Sequence, residues 1–155
     1  MSKWLQPGRA VGVLFLLALV GVALIRERPL APEVIASAPL NTECHLEGAD
    51  CATTLPGGGE VELSISPKPV KAAEPMRLRV TVRGREVDSV DVDFVGLNMN
   101  MGFNRPHLDK TSAGVFSGDA ILPVCTRRRM DWEARVLLET PKGVIMAPFR
   151  FSTSH

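Results

Sequence analysis

The stretch that decides the fold is MRLRVTV, residues 76–82, in which apolar and polar side chains alternate strictly. A period of two places every second side chain on the same face of an extended chain, which is typical of a β-strand with one buried face. An α-helix would need a period of 3.6, which this stretch does not have. The buried face is expected to consist of the apolar side chains Met76, Leu78, Val80 and Val82.

The same alternation recurs on both sides of this stretch. Turn-forming prolines and glycines separate the repeats, which lie at residues 61–65, 90–94, 132–138 and 145–151, with a further candidate strand at 115–122. No amphipathic helix of useful length follows residue 28. Six or seven short strands in about 95 residues predict an all-β fold, an antiparallel β-sandwich that occupies residues 59–155.

A long apolar run lies near the N-terminus. Residues 10–25, AVGVLFLLALVGVALI, carry no charge, and Trp4, Arg9 and Arg26 flank them. A spanning helix needs about 20 apolar residues, and snorkelling basic side chains and an interfacial Trp extend the run. A cleaved signal peptide is the alternative, but small residues do not follow the run closely. We expect residues 1–28 to form a short cytoplasmic tail and one transmembrane helix in a bacterial inner membrane, with the domain in the periplasm.

The next segment is predicted to be a linker that contains a cysteine loop. Residues 29–58 are rich in Pro, Ala and Gly and have no clear period. Cys44 and Cys51 are separated by turn-forming residues, and on the exported side of a membrane this loop would be oxidised. Three pairings are possible among the three cysteines, and we favour the disulfide between Cys44 and Cys51. A metal site of Cys44, His45 and Cys51 is the alternative. If the disulfide forms, Cys125 is left as the single thiol.

The composition and motifs argue against several classes of protein. The 155 residues include 18 Lys and Arg and 17 Asp and Glu, so the chain has no marked excess of basic residues. A nucleic-acid binder usually shows a basic stripe, and the balanced charge argues against that class. The chain contains no nucleophile elbow, phosphate loop or His-Glu-x-x-His motif, so we expect no enzyme. The basic run at residues 127–129 is either a solvated loop or a contact for an acidic partner.

The unusual segment is GLNMNMGFNRPH, residues 96–107. Met99 and Met101 are two residues apart, so on an extended strand both thioethers would lie on the same side. They stand among Asn, Gly and Pro at the end of a predicted strand, which is a poor position for core methionines. Paired thioethers suit the soft cation Cu(I), whereas hard cations prefer carboxylates.

A second loop adds two soft side chains. The segment CTRRRM begins with Cys125 and ends with Met130, and it lies between two predicted strands. We therefore predict one Cu(I) site, with His107 as an alternate ligand, formed by Met99, Met101, Cys125 and Met130. The competing interpretation places Met130 in the core and makes Cys125 an inert buried thiol or a disulfide partner.

One pattern in the chain resembles a known family. The sequence VDFVG, residues 92–96, precedes Met99-x-Met101, which a Pro-Val-Cys loop and Trp132 follow. This pattern resembles small membrane-anchored exported proteins of the YtkA/FixH-like type, which are associated with copper handling and Sco-type oxidase assembly. The resemblance covers about residues 60–152 and the single N-terminal anchor.

The resemblance implies an immunoglobulin-like β-sandwich with a methionine-rich edge associated with copper. It applies directly to Met99 and Met101, and less directly to Cys125 and Met130. The common pattern places a histidine closely after the methionines, whereas here the four residues Phe103-Asn104-Arg105-Pro106 intervene between Gly102 and His107.

The residues and the resemblance together suggest two alternative functions. The first is a membrane-tethered periplasmic copper-binding protein, a carrier or assembly factor for a respiratory oxidase with a respiratory-complex or Sco-type partner. The second is a structural or interaction module without metal, anchored beside a membrane complex.

Overall fold

The computed structural model describes residues 33–124 and 127–154, and in these ranges the chain forms nine β-strands and no helix. The strands are β1 (Val34–Ser37), β2 (Cys51–Thr54), β3 (Glu60–Ser66), β4 (Pro75–Arg83), β5 (Ser89–Gly96), β6 (His107–Ser112), β7 (Val115–Ile121), β8 (Arg129–Thr140) and β9 (Gly143–Ser154). The all-β prediction is confirmed. Nothing in the described ranges is a helix long and apolar enough to span a bilayer. The predicted tail and anchor, residues 1–28, lie outside these ranges.

Strand β4 shows why alternation predicts the fold. Its side chains are alternately exposed and buried along the whole strand, and the four apolar side chains expected in the core are buried. The other alternating stretches of the sequence correspond to β3, β5, β8 and β9, and the candidate strand at 115–122 corresponds to β7. The period of two in the sequence therefore correctly predicts that these strands bury one face.

All nine strands belong to one sheet, in the order β1-β9-β8-β5-β6-β7-β4-β3-β2. Neighbouring strands are antiparallel except for β1 and β9, which are parallel. Strand β6 pairs with β5 at only two positions and continues onto β7, so the sheet turns at β6. The sheet curls, and buried residues from both of its halves form one hydrophobic cluster.

The segment predicted as a linker is largely part of the fold. Residues 38–50 connect β1 at one edge of the sheet to β2 at the other, and we call this segment the strap. The Thr53 hydroxyl donates to the Pro39 carbonyl at 2.9 Å, and Leu46 is fully buried. The domain therefore begins at Val34 rather than at residue 59. The two added strands have four residues each, too few to show a period.

The predicted disulfide between Cys44 and Cys51 is confirmed. It closes the end of the strap onto β2, and Cys51 is 1% exposed. Lys68 donates to the Asp50 carboxylate at 2.6 Å beside this bond, and the hydrogen bond lowers the pKa of Asp50. Because both sulfurs are bonded to each other, they are not thiolate ligands. The alternative metal site with His45 is therefore excluded.

Aromatic side chains of β5, β8 and β9 pack against one another in the core. The Trp132 ring stacks on Phe151, with 6.5 Å between the centroids, and Phe94 meets Phe151 edge-on. The indole N–H of Trp132 donates to the Thr153 hydroxyl at 3.1 Å, so the buried polar group of this ring is satisfied. Trp132, which is fully buried, is therefore a core residue.

Candidate metal site

The chain turns sharply after β5, and the turn is fixed to the start of β8. The Leu97 N–H donates to the Asp131 carbonyl at 2.8 Å. The Asn98 side chain accepts from the Asp131 N–H at 3.3 Å and donates to the Arg129 carbonyl at 3.5 Å. These bonds hold the loop after β5 against the first residues of β8. Since Met130 lies between the two β8 residues involved, the two methionine segments become neighbours.

Gly96 allows the methionines to meet. A Cβ atom at Gly96 would overlap the terminal methyl of Met130 and would lie 3.0 Å from Cγ of Met101. The Met99 carbonyl oxygen occupies the same space. The side chains of Met101 and Met130 therefore converge on the face of Gly96, where only hydrogen fits. We call Met99, Met101 and Met130 the methionine corner.

One methionine of the corner lies in the core, and the other two are partly exposed. Met130 is 2% exposed, whereas Met99 and Met101 are half-buried and pack against the core. An open cleft of about 500 Å³ is lined by residues 95–102, which include Met99 and Met101. The interpretation of Met130 as a core residue is therefore confirmed, and its methyl also contacts the site.

The geometry differs from the prediction in one respect. Residues 97–99 form a bend, not an extended strand, so the period of two does not align Met99 with Met101. Both methionines also pack against the core, which the sequence had argued against. What joins Met101 to Met130 is the close approach at Gly96.

Of the other two predicted ligands, one lies away from the corner and one is not among the described residues. Cys125 lies outside the described residues, in the connection between β7 and β8. His107 lies opposite Asp91 on β5 and its Nδ1 is 2.7 Å from that carboxylate. Gly96 is five residues farther along β5, about 16 Å away at strand spacing, so His107 does not join the methionines.

The donor set fits a soft cation. In residues 33–124 and 127–154, no three His, Cys, Asp or Glu side chains are grouped so that they could hold a metal ion. The side chains that approach each other at Gly96 are those of Met101, in the loop after β5, and Met130, in β8. Thioethers favour Cu(I) over hard cations. The methionine corner therefore fits a soft-metal site in its chemistry.

A second cleft, of about 440 Å³, opens beside the corner. Four segments line it, and they contribute His45 and Glu47, Leu97 and Asn98, Arg129, Asp131 and Trp132, and Arg150, Phe151 and Ser152. Sequence reasoning missed this cleft because the strap was expected to be a tether. The turn residues around Cys44 gave no sign that this loop would reach the end of β9.

Glu47 holds the strap to that end of β9. Its carboxylate accepts from the Ser152 N–H at 2.6 Å and from the Ser152 hydroxyl at 2.8 Å. Burial alone would raise the pKa of Glu47, but hydrogen bonds from its own backbone and from Ser152 outweigh that effect, so the pKa is lowered. The carboxylate is therefore ionised where it lines the cleft.

Apolar side chains are exposed near the loop that carries the methionines. Phe103 is 80% exposed, and its ring lies under the Arg105 guanidinium at 5.1 Å. Phe103 and Ile121 line one shallow cleft, and Val124 is also exposed. We call Phe103 and Ile121 the apolar patch. Exposed apolar groups that cluster in this way are a feature of contact surfaces.

The comparisons with known proteins define no family for this chain. No protein-family model matches it, and no curated protein matches it. A solved structure that is similar is a DUF4785 family protein from Legionella pneumophila, with 19% identity and a TM-score of 0.45. The match covers 62% of this chain and 28% of the Legionella protein, so this chain spans less than a third of that protein's length.

Proposed function

We propose that this chain is a membrane-tethered periplasmic copper-binding protein that carries Cu(I) as cargo. The observation that supports it is the convergence of the Met101 and Met130 side chains on Gly96, with Met99 in the same loop. As the resemblance to YtkA/FixH-like proteins implies, its role would be that of a carrier or assembly factor for a respiratory oxidase. Its recipient would be a respiratory-complex or Sco-type partner.

The chemistry of thioethers suits a carrier. A thioether has no proton to lose, so three of the four proposed donors would bind Cu(I) without the proton release that the Cys125 thiol requires. The site would comprise Met99, Met101 and Met130, and we include Cys125 as the fourth donor. Because the corner is open on one side, donors of a partner can replace these ligands one at a time.

The remaining features of the proposal concern the fold type and location. We propose that the curled sheet is an immunoglobulin-like sandwich and that residues 1–28 anchor it to the inner membrane. The disulfide between Cys44 and Cys51 supports an oxidising compartment such as the periplasm.

The test is a Cu(I) competition titration of the full chain in detergent against a chromophoric chelator. We expect about one equivalent of Cu(I), and we expect Met99→Leu with Met101→Leu to weaken binding at least tenfold. Leu preserves the volume of Met, so the double variant should fold with little loss of stability. Met146→Leu is the matched control, because Met146 is also half-buried but lies near the start of β9.

Two results would contradict the proposal. If the double variant binds Cu(I) as tightly as the parent, the methionine corner is not the site. If the parent itself binds no Cu(I), the protein is not a copper carrier.

A second function, an interaction module without metal, is supported by the apolar patch. Phe103 of this patch lies in the same loop as Met99 and Met101, and the basic run at residues 127–129 is exposed. Such a module would bind an acidic partner through these side chains. A parent that binds no Cu(I) but loses a membrane partner upon Phe103→Asp would favour this function.

A further inference from the structure

The two edges of the curled sheet are covered to different extents. At one edge the strap lies on β2, where the Pro39 carbonyl accepts from the Thr53 hydroxyl and the Asn41 amide donates to the Ala52 carbonyl at 3.3 Å. At the other edge β1 pairs with β9, and no other strand in residues 33–124 and 127–154 joins it. One long side of β1 is therefore open in the described ranges.

The open side of β1 presents backbone groups that can pair with another strand. The Ala38 N–H donates to the Met146 carbonyl at 2.8 Å, so it points toward β9. Because the backbone groups of successive strand residues point to opposite sides, the N–H and C=O of Ser37 point away from β9. They form no backbone hydrogen bond to another described residue. Unpaired groups of this kind at a sheet edge are a template for a further extended chain.

The side chains of β1 do not block this edge. Charged side chains and prolines are the residues that commonly prevent pairing at an exposed edge. Strand β1 has the sequence VIAS, which contains neither. Val34 is 48% exposed and Ile35 is 51% exposed. Strand β1 therefore offers apolar side chains together with its backbone groups.

A largely apolar cleft of about 450 Å³ adjoins β1. Its uncharged lining is mostly aliphatic side chains, proline and glycine, contributed by Ile35, Ala36, Pro56, Gly57, Pro141 and Ile145. When a peptide adds to a sheet edge, main-chain hydrogen bonds supply affinity and neighbouring pockets receive its side chains. The cleft therefore fits an apolar side chain of an added strand.

The charges at the cleft favour an acidic group in the ligand. The charged residues that line it are Arg85, Glu86 and Lys142, so basic side chains are in excess. The Arg85 guanidinium donates to the carbonyls of Pro56 and Gly58 at 2.8 and 3.1 Å, and not to a carboxylate. Lys142 is exposed and forms no ion pair within the described residues. A carboxylate of a bound peptide would supply one.

We propose that β1 and the adjoining cleft bind a partner polypeptide by strand addition. The partner supplies a short extended segment, with an apolar side chain for the cleft and an acidic side chain for Lys142. A second copy of this chain fits less well, because each partner of a stable dimer buries about 800 Å² and β1 has only four residues.

The proposed peptide site is separate from the methionine corner and does not depend on Cu(I) binding. Val34 of β1 pairs with Val144 near the start of β9, whereas Met130 pairs with Thr153 near its end. A peptide on β1 therefore leaves the corner accessible.

The experiment measures the binding of a short fluorescent peptide to the full chain in detergent, by fluorescence anisotropy. The peptide alternates valine and threonine and ends in glutamate. One control peptide is methylated at alternate backbone nitrogens, so it cannot form the ladder of hydrogen bonds, and we expect it to bind about tenfold more weakly or worse. A second control peptide carries glutamine in place of glutamate, and we expect about threefold weaker binding.

Two variants of the chain test the site itself. Ser37→Pro removes the outward N–H, and because proline is tolerated on edge strands, the variant should fold and bind the peptide about tenfold more weakly. Lys142→Glu should weaken binding of the glutamate peptide more than binding of the glutamine peptide. Lys110→Glu is the matched control, because Lys110 is also exposed but lies on β6, which is not a neighbour of β1 in the sheet.

Each result decides for or against strand addition. Weaker binding of the methylated peptide, and weaker binding by Ser37→Pro but not by Lys110→Glu, supports the proposal. If the methylated peptide binds as tightly as the unmodified one, no strand is added and the proposal is wrong. If the parent binds no peptide but forms a dimer that Ser37→Pro abolishes, a second copy covers β1 and the proposal is also wrong. The Cu(I) titration is a separate measurement, so these failures leave the proposed function standing.

Discussion

At Gly96 a single hydrogen atom is all that the surrounding atoms leave room for. The methyl of Met130, the Cγ of Met101 and the Met99 carbonyl all converge on the position where a Cβ would stand. The conflict is one of contact alone, since the φ of Gly96 does not lie in the left-handed region. This residue therefore links packing of the β5 end to the geometry of the proposed site.

Gly96→Ala should destabilise the domain by about 1–3 kcal/mol, because overpacking forces neighbouring atoms to move. Movement of the methionine side chains should also weaken Cu(I) binding. Denaturant unfolding and Cu(I) competition check the two effects. Gly48→Ala is the control, because no atom lies within 4 Å of a Cβ built there. Equal stability of the two variants would contradict the described approach at Gly96.

The strap is the element that sequence patterns described least well. It joins strands at opposite edges of the sheet, and its buried Leu46 and its Glu47 contacts depend on partners far along the chain. Such contacts leave no local period, whereas prolines and glycines in the same stretch are typical of a tether. Strand β6 was missed for a related reason, since only Leu108 is buried among its six residues.

The strands with a buried face were predictable for the opposite reason. In β4 every second side chain enters the core, so the pattern of the sequence repeats the pattern of burial. The candidate site falls between these cases. The sequence indicated Met99, Met101 and Met130, but the approach of the Met101 and Met130 side chains depends on Gly96 and on the Asn98 hydrogen bonds, which no spacing rule reveals.

The bond between Glu47 and Ser152 should make the docking of the strap dependent on pH. The pKa of Glu47 is lowered from 4.5 in the folded chain, so ionisation of this carboxylate favours folding. Its contribution to the free energy of unfolding is fully present above the ordinary pKa of a Glu carboxyl. The contribution is lost as the pH falls through the lowered pKa of Glu47.

We therefore expect Glu47→Gln to lower the free energy of unfolding at pH 7 and to differ less from the parent at pH 3. Denaturant unfolding over this range measures the difference. Glu43→Gln, at an exposed position of the same segment, should follow the parent. A difference for Glu47→Gln that stays constant down to pH 3 would contradict the assigned role.

At the scale of the whole domain, the parallel pairing of β1 with β9 fixes where the chain joins the sheet. Val34 pairs with Val144 near the start of β9, whereas Ser154 pairs with Arg129 at the other end. Strand β9 has twelve residues, so these two ends are about 35 Å apart. The methionine corner lies at the far end, beside Arg129.

Replacement of residues 1–28 by a soluble tag should therefore leave the Cu(I) affinity within about twofold of the parent, since Val34 and the corner lie at opposite ends of β9. Competition titration of the tagged protein, with the parent in detergent as its control, checks this. A tenfold loss of affinity would show that the N-terminal segment takes part in the site.

If residues 1–28 anchor the chain and the corner binds Cu(I), as proposed, the chain enters the sheet at one end of β9 and exchanges its cargo at the other end. Attachment and delivery could then change independently: a different anchor would alter where the protein works, and a different set of loops would alter what it hands over.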